Sequence, residues 1–318
     1  MSLSHYKKLQ LKYQNASLPI KISVPFILMF LGFWIAGTTS VGYFLAQKLE
    51  QGEHKRTLEL VTLIKREIDQ ELDILRKDAR LLSTNEPISQ AITAQDELRI
   101  RQLISPLKGI VNANIITIIN RDKNELLTLQ DPILKGIELK TKEVNKLLVT
   151  GVDISTVAET KDFGPPVLIG TASIKNRQGI VGGILIGTVL NDQLLAQINQ
   201  PIKEHIVIIS NGIVVASTFP SDAFSSNQKK RLETPKNHST IKINNQNFAA
   251  HLISLRGIEN EQTDLVLLTS QTSLNQAKQT TWLLIMTMAS VGAVLTIVLG
   301  YWIANHIDRS TGSRRKPI

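Results

Sequence analysis

Two long apolar runs frame the chain, at 24–46 and 282–304, and each holds 23 residues without Asp, Glu, Lys or Arg. At about 1.5 Å per helical residue, such a run spans a hydrocarbon core of roughly 30 Å, so two transmembrane helices are predicted. Directly after the first run the pattern changes. From 48 to 83 there is no Pro, and Leu60, Ile64, Ile68, Leu72, Leu75, Ala79 and Leu82 step by three or four residues. Between them lie Glu59, Lys65, Arg66, Glu67, Asp69, Glu71, Asp73, Arg76 and Lys77, the solvated side of one amphipathic helix. Only Gly52 interrupts good helix formers after Ala46, so this helix is predicted to leave the first run without a break. Its stripe packs on its own domain or pairs with a second copy of the chain. A break at Asn85-Glu86-Pro87 ends it, and a shorter helical stretch reaches about Leu107.

Strand patterns follow. The β-branched run 115–119, a polar turn at 120–124 and a return near 125–129 read as a hairpin. A helical piece is expected around 143–148, then an apolar strand at 167–174, a turn at 175–179 and a long Gly-rich strand at 180–190. Asn191 is a suitable N-cap for a helix over 192–198. Pro201 marks a boundary. Beyond it, 205–210 and 213–217 flank Asn211-Gly212, the dipeptide of a type I′ hairpin. The polar stretch 221–239 reads as a loop or short helix, and strands are expected near 240–243, 248–255 and 264–269. Residues 271–280 then lead into the second apolar run with no Gly or Pro between.

Charge orients this plan. The net charge is +9, but Lys7, Lys8, Lys12 and Lys21 precede the first run without an acid, and Arg309, Arg314, Arg315 and Lys316 follow the second against Asp308. Short basic flanks stay cytoplasmic, so both termini are expected inside and the middle exported. A cleaved signal peptide is the alternative for the first run. Its length and the Phe44 two residues before Ala46 favour an uncleaved anchor. The middle is close to neutral, which gives no electrostatic footprint for nucleic acid.

The chain has no Cys, which excludes thiolate nucleophiles, Cys-ligated zinc and iron–sulfur clusters. Between 47 and 280 the only aromatic rings of Phe, Tyr or Trp are Phe163, Phe219, Phe224 and Phe248, too few for a stacking platform. The six His (His5, His54, His205, His238, His251 and His306) show no metal-ligand spacing, and no nucleophile motif or phosphate loop is present. No enzyme activity, metal or cofactor is expected.

Gly164-Pro165-Pro166 with the strand 167–174, the turn ending at Gly179, Gly182-Gly183-Ile184 and Asp192-Gln193-Leu194-Leu195 resemble the second half of the membrane-distal module of a double Cache sensor domain. With the long entry helix, the 115–129 hairpin and the Asn211-Gly212 module, the resemblance covers essentially 48–278. It implies an α+β fold in which two PAS-like (Cache) modules with antiparallel sheets stack along a long N-terminal helix, flanked by two transmembrane helices. The expected division is a cytoplasmic tail (1–23), the first span (24–46), an exported domain (47–280), the second span (282–304) and a second cytoplasmic tail (305–318). Within the exported domain the long helix takes 48–83, the distal module about 88–200 and the proximal module about 201–272.

The resemblance also implies a small ligand bound by the distal module, and a final helix that carries the occupied state to the bacterial inner membrane. Amino-acid-binding members of that family use an Arg-x-Trp-Tyr motif and an Asp on the last long strand. Here 115–162 has no aromatic residue, and Thr188 stands where that Asp falls. A buried ammonium without a carboxylate partner is costly, so that chemistry is not expected. Alternation puts Ile169, Thr171 and Ser173 on one face. Thr171, Ser173 and Thr188 are therefore the expected ligand-binding hydroxyls, unless they merely suit a pleated sheet. Lys161, Asp162 and Glu159 on the preceding loop are further candidates.

Pro317-Ile318 resembles the start of a HAMP linker, and the 14 residues after 304 are too few for an output domain, so a separate signalling partner or a lost output is expected. A homodimer is expected as well. Two readings stay open: a transmembrane sensory receptor input, or a membrane-anchored, non-sensing scaffold that holds a partner protein.

Overall fold

The computed structural model describes residues 18–134, 139, 144–145, 148, 150–160, 164–202, 204–210, 213–219, 239–243, 246–256 and 262–312. They divide into two units, one formed by the terminal segments (Met1–His54 and Thr272–Ile318) and one by Lys55–Gln271. Helix α1 is Leu18–Ser83, so the first apolar run and the amphipathic stripe belong to one element. Pro25 lies inside it and Gly52 does not interrupt it. Helices α2 (Glu86–Thr93) and α3 (Glu97–Ile110) follow, α3 capped by the Asp96 carboxylate, which accepts from the Arg99 N–H at 3.0 Å.

The strands are β1 (Ile115–Asn120), β2 (Glu125–Gln130), β3 (Ser155–Ala158), β4 (Val167–Asn176) and β5 (Gly179–Val189). They form one antiparallel sheet in the order β2-β1-β5-β4-β3. Helix α4 (Asp192–Asn199) closes this part, and its Asn191 cap accepts from the Leu194 N–H at 3.0 Å, as the sequence predicts. A second set, β6 (His205–Ser210), β7 (Ile213–Ser217), β8 (Ser239–Ile243), β9 (Gln246–Arg256) and β10 (Gln262–Ser270), forms another antiparallel sheet. Its order, β7-β6-β10-β9-β8, repeats that of the first sheet strand for strand. Helix α5 (Thr272–Gly312) contains the second apolar run.

The fold is therefore α+β, with a long N-terminal helix and two antiparallel five-stranded sheets. Two helices are long and apolar enough to cross a membrane, with peak mean hydropathies of 1.8 and 2.3. Strand β3 was not predicted. The Asn211-Gly212 turn and the 221–238 stretch lie outside the described residues. Of the expected helical piece, Val144, Asn145 and Leu148 are described and helical.

One core unites α1 with both sheets. Ile64, Ile68, Leu75, Ala79 and Leu82 of α1 pack with Leu168, Ala172 and Ile174 of β4, Ile184 and Ile186 of β5, and Ile206, Ile208, Leu265 and Leu267 of the second sheet. Each such Leu or Ile contributes about 1.5–3 kcal/mol of burial, so the stripe alone fixes the helix on the sheets. Contact is closest at Gly170, where an added Cβ would stand 2.2 Å from the Leu75 carbonyl carbon and 2.3 Å from the Arg76 nitrogen. Only Gly lets the helix backbone lie directly on β4.

Candidate functional site

The first sheet has a second face, turned away from α1. Val167, Ile169, Leu185 and Val189 cluster there with Ile115, Leu134, Val144 and Ala158, joined by Leu139 and Ile154. A cover segment that begins at Asp131 supplies several of these groups. Asp131 anchors it by accepting from Lys108 Nζ at 2.6 Å and from Asn114 Nδ2 at 2.8 Å. Asn114 Oδ1 in turn accepts from the Val189 N–H at 2.9 Å. Burial pushes the Asp131 carboxyl up, but the hydrogen bonds from Lys108 and Asn114 outweigh it and hold the group below its ordinary value.

Thr171 and Ser173 lie on this face, as alternation predicts, and both are buried. Their hydroxyls are already engaged. Thr171 Oγ1 donates to the Ile154 carbonyl at 3.1 Å and accepts from the Ile154 N–H at 3.2 Å. Ser173 Oγ donates to the Leu148 carbonyl at 2.8 Å, and the Ser173 N–H donates to Asp153 Oδ1 at 3.1 Å. The pair therefore fastens the cover segment to β4.

Thr188 is not brought together with them. It pairs with Leu168 in the β4–β5 ladder and shares the α1-facing parity of Ile184 and Ile186, whereas Gly187 faces Val167 and Ile169. The expectation of three hydroxyls on one face is corrected here to two. Lys161 and Asp162 lie outside the described residues. Glu159 is buried at the start of that loop.

Sequence reasoning missed Thr160. This residue bridges Leu139 of the cover segment, and its Oγ1 is buried with no hydrogen-bond partner. An added Cβ at Gly164 would stand 2.9 Å from that oxygen, so the Gly leaves room beside it. A buried hydroxyl without a partner costs free energy, which is the physical signal of a place for a bonding group.

Two further features lie in the same unit. A groove of ≈ 830 Å³ runs between α2 and the β4–β5 turn, walled by Glu86, Gln90, Thr93, Lys175, Asn176 and Arg177. On the second sheet, His205 stacks on Phe219 with centroids 3.8 Å apart and meets Phe248 edge-on at 5.8 Å, while its Nδ1 is buried without a partner. Burial holds the His205 pKa below its ordinary value. Among the described residues no group of three or more His, Asp or Glu is placed to hold a metal.

No family model matches the chain. No curated protein matches it either. Solved structures similar to it include the periplasmic domain of Vibrio cholerae LuxQ, at 18% identity and TM-score 0.48, with 67% of this chain and 99% of that one covered. The sensor domain of the V. cholerae histidine kinase DctB is similar at 14% identity and TM-score 0.46, over 69% and 98% of the two chains. The sensory domain of the Campylobacter jejuni chemoreceptor Tlp3 is similar at 14% identity and TM-score 0.45, over 73% and 99%. The DctB and Tlp3 structures are sensor or sensory domains, and the LuxQ structure is a periplasmic domain. At such scores, function is read from the chain's own residues.

Proposed function

We propose that the chain is the input module of a transmembrane sensory receptor. Both termini are cytoplasmic and the Lys55–Gln271 unit is exported. The exported part is organised as a distal module at about 88–200 and a proximal module at about 201–272. The observation that carries this reading is the continuity of α1. One helix holds an apolar run long enough to span a bilayer and also the stripe that forms the core under both sheets. A change in that core therefore acts directly on a spanning element. The basic flanks support the orientation.

The ligand is a small molecule bound under the cover segment of the first sheet. The unpartnered Thr160 hydroxyl supports that position, with Lys161 and Asp162 as further candidates on the adjoining loop. Occupancy favours one of two helix arrangements, a shift of about an ångström or two, ordinary for such elements. A homodimer and a separate cytoplasmic or membrane signalling partner complete the proposal.

A specific observation favours the second reading, a non-sensing membrane-anchored scaffold: Thr171 and Ser173 are engaged by the cover segment, and Leu134 and Val144 pack into the apolar cluster on the same face of the sheet. A metabolite panel screened by thermal shift on the full chain separates the two. A compound that raises the melting temperature, with the gain lost in Thr160→Val, supports sensing. A shift that survives Thr160→Val moves the ligand elsewhere. No shift across the panel favours the scaffold.

A further inference from the structure

Within the unit formed by the terminal segments, the two apolar helices meet through matched notches and knobs. The Trp34 ring of α1 lies over Gly292 of α5, where an added Cβ would stand 2.2–2.3 Å from Cε2, Cζ2 and Nε1 of the indole. The same indole donates from Nε1 to the Ala289 carbonyl at 3.2 Å. About two turns to either side the pattern recurs. Gly42 faces Trp282 and Ile285, and Gly300 faces Ile27. Glu50 and Lys278 pair beyond the Gly42 contact, at the end of the apolar zone. Ile27, Trp34, Gly42 and Glu50 of α1 are therefore each opposed by a fixed partner on the antiparallel α5.

We infer that Trp34, seated against Gly292 and hydrogen-bonded to Ala289, locks the register of the two helices, so that they move as one body and do not slide past one another. In hydrocarbon no water replaces a lost partner, so an indole N–H parted from its carbonyl has nowhere else to go. A slide of one turn, about 5.4 Å, would bring Met288 or Thr296 against the ring in place of Gly292. Neither leaves room for it. The lock refines the output half of the proposed function: a signal leaves as tilt or rotation of the pair. It is independent of the ligand half.

The natural absence of Cys makes the test direct. An added Cβ at Gly300 would stand 2.7 Å from Ile27 Cγ1, which puts the two Cβ positions within disulfide range. In the full chain in native membranes, Ile27→Cys with Gly300→Cys is the in-register pair, and Ile27→Cys with Thr296→Cys is displaced by one turn. Disulfide formation is followed by protection from a maleimide–polyethylene glycol gel shift. The in-register pair is expected to oxidise faster by a factor on the order of ten. Trp34→Ala and Gly292→Leu are each expected to bring the ratio within about twofold, and Trp34→Phe, which keeps a ring and loses the N–H, to an intermediate value. An unmutated chain without preference, or a ratio unchanged in these variants, overturns the lock. Should the larger substitutions prevent insertion, Trp34→Phe decides alone: a ratio equal to the parent's overturns it. Since no ligand enters the assay, its outcome leaves the sensing question apart.

Discussion

Glu71 and Asp78 stand seven residues apart on one flank of α1, and each carboxyl is held above its ordinary value. Burial is the main cause for both, and the Asp78 charge adds to it at Glu71. A carboxyl with a raised folded-state pKa keeps its proton longer folded than unfolded, so it costs stability as pH rises through that window. Asp78→Asn is thus expected to raise the melting temperature near neutral pH. The gain should fade below about pH 4, where both states are protonated. Circular-dichroism melts of the full chain across pH check this, and a gain that persists at low pH rules the charge argument out. His205 works in the opposite sense. Its folded pKa lies below the unfolded 6.5, so its contribution is complete above that pH. It is lost as pH falls from there toward the folded value, because the unfolded chain takes the proton first. His205→Phe keeps the ring stack on Phe219 and should flatten the melting-temperature decline below about pH 6.5. A slope equal to the parent's would place the decline on other groups.

At the scale of elements, the contact of α1 with β4 depends on one missing side chain. Gly170→Ala forces a methyl into the Leu75–Arg76 backbone, and overpacking there is expected to destabilise by about 3 kcal/mol or more. Gly52→Ala is the matched control. Gly52 is exposed in the same helix with nothing near its added Cβ, so it should stabilise by roughly 0.5–1 kcal/mol. Urea melts distinguish the pair, and equal losses would refute the contact. The helix itself was legible in the sequence, because its apolar residues step by three or four from Leu60 to Leu82 and only Gly52 interrupts good helix formers before them. Nine of the ten strands were legible as well, from β-branched runs and polar turns. β3 was not, because four residues, Ser155 to Ala158, carry too little alternation and owe their strand state to pairing with β4. The candidate site was legible only in part. Alternation placed Thr171 and Ser173 on one face with Ile169, and the ladder agrees. Their partners, Ile154 and Leu148, lie 17 and 25 residues away, in a segment without periodicity. Thr188 was misplaced because its face depends on the ladder partner Leu168, which pairing supplies and local pattern does not.

At the scale of the whole molecule, the Lys55–Gln271 unit is one design used twice, since strand order 2-1-5-4-3 recurs with every number raised by five. Such a repeat gives two sheets, each with one face in the core shared with α1 and another free to be covered separately. The second sheet's outer cluster of Val207, Ile209, Phe248, Val266 and Leu268 is the counterpart of the face covered by the Asp131 segment. Both sheets precede a single apolar exit helix, α5. If α1 and α5 each cross the bilayer once, the two sheets lie on the side opposite both termini. In the proposed orientation the basic residues at each end hold those termini in the cytoplasm. A fluorescent protein fused after Ile318 should therefore mature and fluoresce, because it stays inside. Alkaline phosphatase inserted near Ser226 should be active, because it is exported. Protease added to spheroplasts should cleave the middle of the chain and spare the fused tail. An inactive phosphatase together with a middle segment that resists protease until the cells are lysed would reverse the orientation and withdraw the receptor reading with it.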